Sequence, residues 1–154
     1  MLVIDPSFML LNHEASDAEA VIHALSERLF EYGAVKESYG EETIARERKH
    51  PTGLPTKPFA IAFPHAEAEG VEQSSLAVAT LSSPVRFLNM GDPDEALDVE
   101  IVFLLANNAP EEQVQALRQL ALIFSDTGKL LHLHNLDSKK LAAEWLRQEL
   151  LQTE

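Results

Sequence analysis

The chain has 154 residues, 12 Lys and Arg against 25 Asp and Glu, a formal net charge of −13 and an apolar share of 45%. That length fits one domain over residues 1–154 with a core of its own, and the absence of cysteine excludes a disulfide framework, a thiolate metal site and a thiol nucleophile. The acidic excess excludes a broad nucleic-acid or anionic-membrane surface, and apolar runs such as Ile101–Ala106 fall far short of the ~18–20 residues that span a bilayer.

Ser16-Asp17-Ala18-Glu19 has the spacing of a capping box, and behind it Val21, Ala24, Leu25, Leu29 and Tyr32 recur at the helical period. Gly33 supplies a left-handed stop. A second box, Ser38 to Glu41, predicts a helix to about Lys49, ended by Pro51. The segment from Pro51 to Pro58 reads as loop. Phe59–Phe63 is short, apolar and bounded by prolines, as a buried strand would be. Ser75–Leu81 and Val99–Ala106 predict two more strands, joined through a turn-rich connection over Leu88–Asp98. Pro110 and two glutamates favour a helix start, Val114, Leu117, Leu120, Ala121 and Phe124 give that helix a buried face, and Gly128 closes it. Asp137 or Ser138 caps a last helix carrying Leu141, Trp145 and Leu150. Helices, then strands, then helices predict an α/β fold, a mixed sheet with helices on both faces.

Six histidines carry the near-neutral titrating chemistry. His13 and His23 have nothing beside them that marks a ligand, and His50 ends a helix where a cation is favoured. His132 and His134 would chelate a metal if their segment were extended, but no third ligand stands near them in sequence. His65 differs. It follows Pro64 directly after an apolar strand, so a stiff backbone presents its ring, and Ala66 leaves space beside it. Upstream, Arg46, Arg48, Lys49 and Lys57 crowd four of the twelve basic residues into positions 46–57, which suggests anion handling by arginine's planar fork.

Taken together, Ile61-Ala62-Phe63-Pro64-His65-Ala66, the upstream Arg46-Glu47 with Thr52-Gly53, and the apolar strand ending at Ala106 resemble the mannitol/fructose-type IIA components of the sugar phosphotransferase system. The connection from Leu54 to Ala60 is longer than usual in that family and free of glycine, which looks most like the galactitol branch. Where mannitol-type members carry a second histidine, this chain has Gln113.

The resemblance implies the mannitol/fructose-type IIA fold and a phosphoryl relay. His65 would accept phosphate from phospho-HPr and pass it to a cysteine of a IIB component, acting through it with a membrane IIC subunit in galactitol-like uptake. Arg46 would fork onto the phosphoryl oxygens, with Gln113 as a neutral donor. No cofactor, metal or nucleic acid is implied, nor membrane insertion, and no leader opens the chain, so a cytoplasmic location is expected. A regulatory IIA-like module of the nitrogen type, whose phosphorylation state controls a partner, would carry the same motif.

Overall fold

In the computed structural model, which describes residues 1–151, the first helix starts from a neighbour of the expected cap. Asp17, not Ser16, accepts the Ala20 N–H and opens α1 (Ala18–Tyr32). Glu19 is drawn off instead by both arms of Arg48, at 2.8 and 2.9 Å. Gly33 ends α1 as expected, at φ 94°, where a Cβ would be strained. Ser38 precedes α2 (Tyr39–Lys49) but makes no cap bond, its hydroxyl turning to the Glu42 side chain at 3.2 Å.

The sheet holds more than the sequence displays. β1 (Met9–His13) stands ahead of α1, so the chain begins its sheet before its first helix, and β2 (Gly53–Leu54) forms inside the segment read as loop. The expected strand at Phe59–Phe63 is β3 (Ala60–Ala62). The stretch Leu88–Asp98 is no connection but the tip of a long hairpin of β4 (Ser75–Asn89) and β5 (Asp92–Ala106).

β1 lies parallel to β4, β4 antiparallel to β5, β5 parallel to β3, and β3 antiparallel to β2. β2 then returns to β4 through Gly53 opposite Asn89, closing β4, β2, β3 and β5 into a ring. Gly53 permits that closure, since a Cβ there would meet the Leu88 carbonyl oxygen at 2.6 Å.

Burial along the hairpin shows where helices cover the sheet. Leu76–Leu81 and Ile101–Ala106 are buried without interruption, so both faces are covered. From Val85 to Asn89 burial alternates, leaving one face of the hairpin tip to solvent. α1 packs on β4 with α2 beside it, and α5 packs on β1 and α3.

Among the described residues the C-terminal helices are three. A short turn at Pro110–Glu112 leads into α3 (Val114–Phe124), which ends at Ser125. Gly128 does not close it but is the second residue of α4 (Thr127–Asn135), capped by Asp126. Ser138 caps α5 (Lys139–Leu150), as one of the two expected caps. The whole is the expected α/β fold with a five-stranded mixed sheet.

Candidate functional site

β3 runs out at Ala62, and the chain beyond it is fastened residue by residue. The Phe63 N–H donates to Thr52 Oγ1 at 3.1 Å, the Pro64 carbonyl accepts from Leu105 N–H at 3.4 Å, and the Ala66 N–H donates to the Tyr39 hydroxyl at 3.3 Å. His65 sits between these anchors, half-buried. Its Nδ1 lies 3.0 Å from the Phe63 carbonyl oxygen. A carbonyl only accepts, so Nδ1 carries a proton, and in the neutral ring the lone pair is on Nε2. This ring is oriented as a nucleophile.

Tyr39 is fully buried and escaped the sequence reading because it looks like any core aromatic. Burial pushes its hydroxyl up to about 12, so it stays protonated and donates to the Leu105 carbonyl at 3.2 Å. It thereby ties the residue after His65 to the end of β5.

His65 and Arg46 line the same cleft, of about 400 Å³, with Phe63, Glu67, Asn107 and Leu117. Arg46 projects from the last turn of α2, and its Nη1 meets Glu67 Oε1 at 3.1 Å across the cleft mouth. Its Nε is buried without a hydrogen-bond partner among the described residues. The rest of the basic island disperses: Arg48 is held by Glu19, and neither Lys49 nor Lys57 lines this cleft.

Gln113 is buried, 4% exposed, at the junction before α3 and is not among the cleft-lining residues. Asn107, just past β5, does line it. Its Oδ1 accepts the Ala109 N–H at 3.1 Å and the Ser74 hydroxyl at 3.2 Å, which identifies the oxygen side of the amide. No periodicity or motif marks Asn107, since its place depends on where β5 ends.

Phe63 packs its ring 5.6 Å from that of His65 and 5.5 Å from that of Phe124, joining site to core. His132 and His134 lie on α4 rather than on an extended segment. They face different neighbours, His132 the Trp145 ring at 5.2 Å and His134 the Phe59 ring at 4.9 Å. Two positions apart on a helix, they do not converge on one ion.

Residues 2–148 match the family described as the phosphoenolpyruvate-dependent sugar phosphotransferase system, EIIA 2. The chain is 33% identical over 123 residues to the 2-O-alpha-mannosyl-D-glycerate-specific EIIABC component of Escherichia coli, which covers 77% of this chain but only 18% of that protein. It is 30% identical over 104 residues to the galactitol-specific EIIA component of Escherichia coli, covering 68% of this chain and 69% of that protein. The fold matches the IIA protein in the complex of enzyme IIA mannitol with phosphorylated enzyme IIB mannitol from Escherichia coli. That match has a TM-score of 0.75 at 23% identity and covers 95% of this chain and 98% of that one.

Proposed function

The chain belongs to the EIIA 2 family of the phosphoenolpyruvate-dependent sugar phosphotransferase system, whose IIA domains are phosphotransferases working through a phosphohistidine, and on that premise we propose that its phosphoryl-carrying residue is His65. The observation that carries this reading is the imidazole itself: its Nδ1–H is held by the Phe63 carbonyl, and its ring shares a cleft with the Arg46 guanidinium. Residues 1–154 act as one IIA unit in the cytoplasm.

In the first step the P–N bond of phospho-HPr breaks as the Nε2–P bond of His65 forms, and the proton on Nδ1 stays there, hydrogen-bonded to the Phe63 carbonyl. In the second, the Nε2–P bond breaks and a cysteine thiolate of a IIB component takes the phosphoryl group, with a membrane IIC subunit moving the sugar. Galactitol or a related polyol is the cargo class we assign, from the likeness to the galactitol-specific component. The transition state of such transfers is loose, with charge on the equatorial oxygens, so the protein's task is positioning and donation. Arg46 supplies the charged fork, with Asn107 as a neutral donor, and Gln113, buried outside the cleft lining, would join them only by turning toward the cleft from the start of α3. Glu67 must release Arg46 when phosphate arrives, and its exposure makes that release cheap.

The test is transfer from phospho-HPr in vitro. His65→Ala should lose all acid-labile labelling while its circular dichroism stays that of the wild type. Labelling retained in that variant would move the site elsewhere. Arg46→Ala should fold normally and slow transfer by about a hundredfold, the usual scale for removing one transition-state donor. A labelled protein that phosphorylates no IIB component of a polyol system would turn the reading toward regulation.

A further inference from the structure

The phosphoryl steps above leave Thr52 and Glu47 without a task, although both lie against the base of the His65 loop. Thr52 is 3% exposed. Its N–H donates to Glu47 Oε2 at 2.9 Å and its hydroxyl to Glu47 Oε1 at 2.8 Å, so one carboxylate holds one residue at two points. A hydroxyl has a single proton. With that proton committed to Glu47, the Thr52 oxygen presents only lone pairs to its other neighbour, the Phe63 N–H.

We propose that Thr52, clamped by Glu47, is a positioning residue that holds His65 in its reactive tautomer. The backbone ladder of β2 and β3 ends at the pair Gly53 and Ala62, so the Phe63 N–H falls just past the last strand partner. Without the Thr52 oxygen the Phe63 N–H loses its partner, and the backbone is next held only at the Pro64 carbonyl and the Ala66 N–H, so the Phe63 peptide can turn between them. Its carbonyl accepts the hydrogen bond from His65 Nδ1–H, so a swing there removes the reason for the proton to sit on Nδ1 and the lone pair on Nε2. Glu47 stands on the last turn of α2, one position from Arg46, so the same turn carries the phosphate fork and anchors the nucleophile. Burial lifts the Glu47 carboxyl above its ordinary value although both Thr52 donors pull it down. A carboxylate kept in such a place, with both oxygens spent on one residue, is better matched to geometry than to surface charge.

The tautomer is the readout that a merely structural role would not move. The inference takes its purpose from the phosphoryl-carrier reading, but the measurement needs no phosphoryl donor. In ¹⁵N spectra, the neutral ring of wild-type His65 should show one tautomer, with its proton on Nδ1. Thr52→Val, which keeps the shape and removes the hydroxyl, should show a mixture of both. Transfer from phospho-HPr should fall by about tenfold, the scale on which small misplacements of a reacting group are felt. Thr52→Ser should restore both within about twofold. Glu47→Gln keeps the hydroxyl but leaves one amide oxygen where two carboxylate oxygens accepted the two Thr52 donors, and should also broaden the tautomer distribution, which tests the idea should Thr52→Val fail to fold. Wild-type spectra in Thr52→Val or in Glu47→Gln, or a serine variant as impaired as the valine one, would overturn the proposal. Wild-type protein that takes no label from phospho-HPr would sink the carrier reading alone, leaving the ¹⁵N comparison to decide this one.

Discussion

Replacing Gly53 by alanine perturbs the single place where β2 closes the strand ring onto the hairpin. The added Cβ would lie 2.6 Å from the Leu88 carbonyl oxygen and 3.2 Å from its carbon. Both are backbone atoms, so no rotamer change relieves the clash and the two strands must part. Parting them stretches the bond from Met90 N–H to the Gly53 carbonyl, now 2.8 Å. Overpacking of this kind costs about 1–3 kcal/mol and the lost bond about 1 kcal/mol, against a gain of about 0.4–1 kcal/mol from a stiffer unfolded chain. The net is about 2 kcal/mol, which for a domain of this length lowers the melting temperature by about 4–8 °C. Thermal unfolding followed by circular dichroism measures it, and amide exchange at Met90 reports whether the closure has opened. Gly91→Ala is the control, because its Cβ would have only an ordinary 3.6 Å contact with Asn89 Oδ1 and should change the melting temperature little. A Gly53→Ala protein that melts with the wild type and still protects Met90 would show that the ring closure carries no strain-sensitive contact.

Tyr39→Phe removes the hydroxyl that both receives the Ala66 N–H and donates to the Leu105 carbonyl, at 3.3 and 3.2 Å. Leaving such groups unpartnered costs about 1–3 kcal/mol, readable as a lower urea midpoint at unchanged slope. Transfer from phospho-HPr should slow as well, because Ala66 adjoins His65, the proposed nucleophile. The pH dependence of stability carries the sign of Glu47, whose folded carboxyl sits above its ordinary 4.5, chiefly through burial. Its raised value means the folded state binds this proton more tightly than the unfolded chain. Its contribution is therefore complete below about pH 4.5 and is lost as pH climbs through the higher folded value. The stability advantage of wild type over Glu47→Gln, from urea titrations at pH 4, 5 and 7, should shrink with rising pH. An advantage that widens would mean the Thr52 donors outweigh burial. Glu67→Gln should free Arg46 and tighten inorganic phosphate at the cleft by about two- to fivefold, as expected for an exposed ion pair, measured by chemical-shift titration.

What the chain's own order determined is what neighbours in sequence decide. Gly33 ends α1 because only glycine takes that backbone without strain, Ser138 caps α5 with its own hydroxyl, and an unbroken apolar run makes β5 a covered strand. His65 was legible for the same reason: proline on one side and a small residue on the other mark a presented ring. Tertiary structure decided everything that rests on a distant partner. β2 is two residues long and has no period to read, and it exists because Ala62 and Asn89 lie beside it. Which cation of the basic island reaches the cleft was set by how α2 packs: Arg46 faces the cleft and Glu67, while Arg48, two positions on and so round the helix, meets Glu19. Tyr39 and Asn107 belong to the site only because β5 ends where it does, and Thr52 only because β3 stops one residue short of Phe63. Local propensity acts over a few bonds, whereas a site is assembled from strand ends whose meeting depends on the packing of the whole sheet.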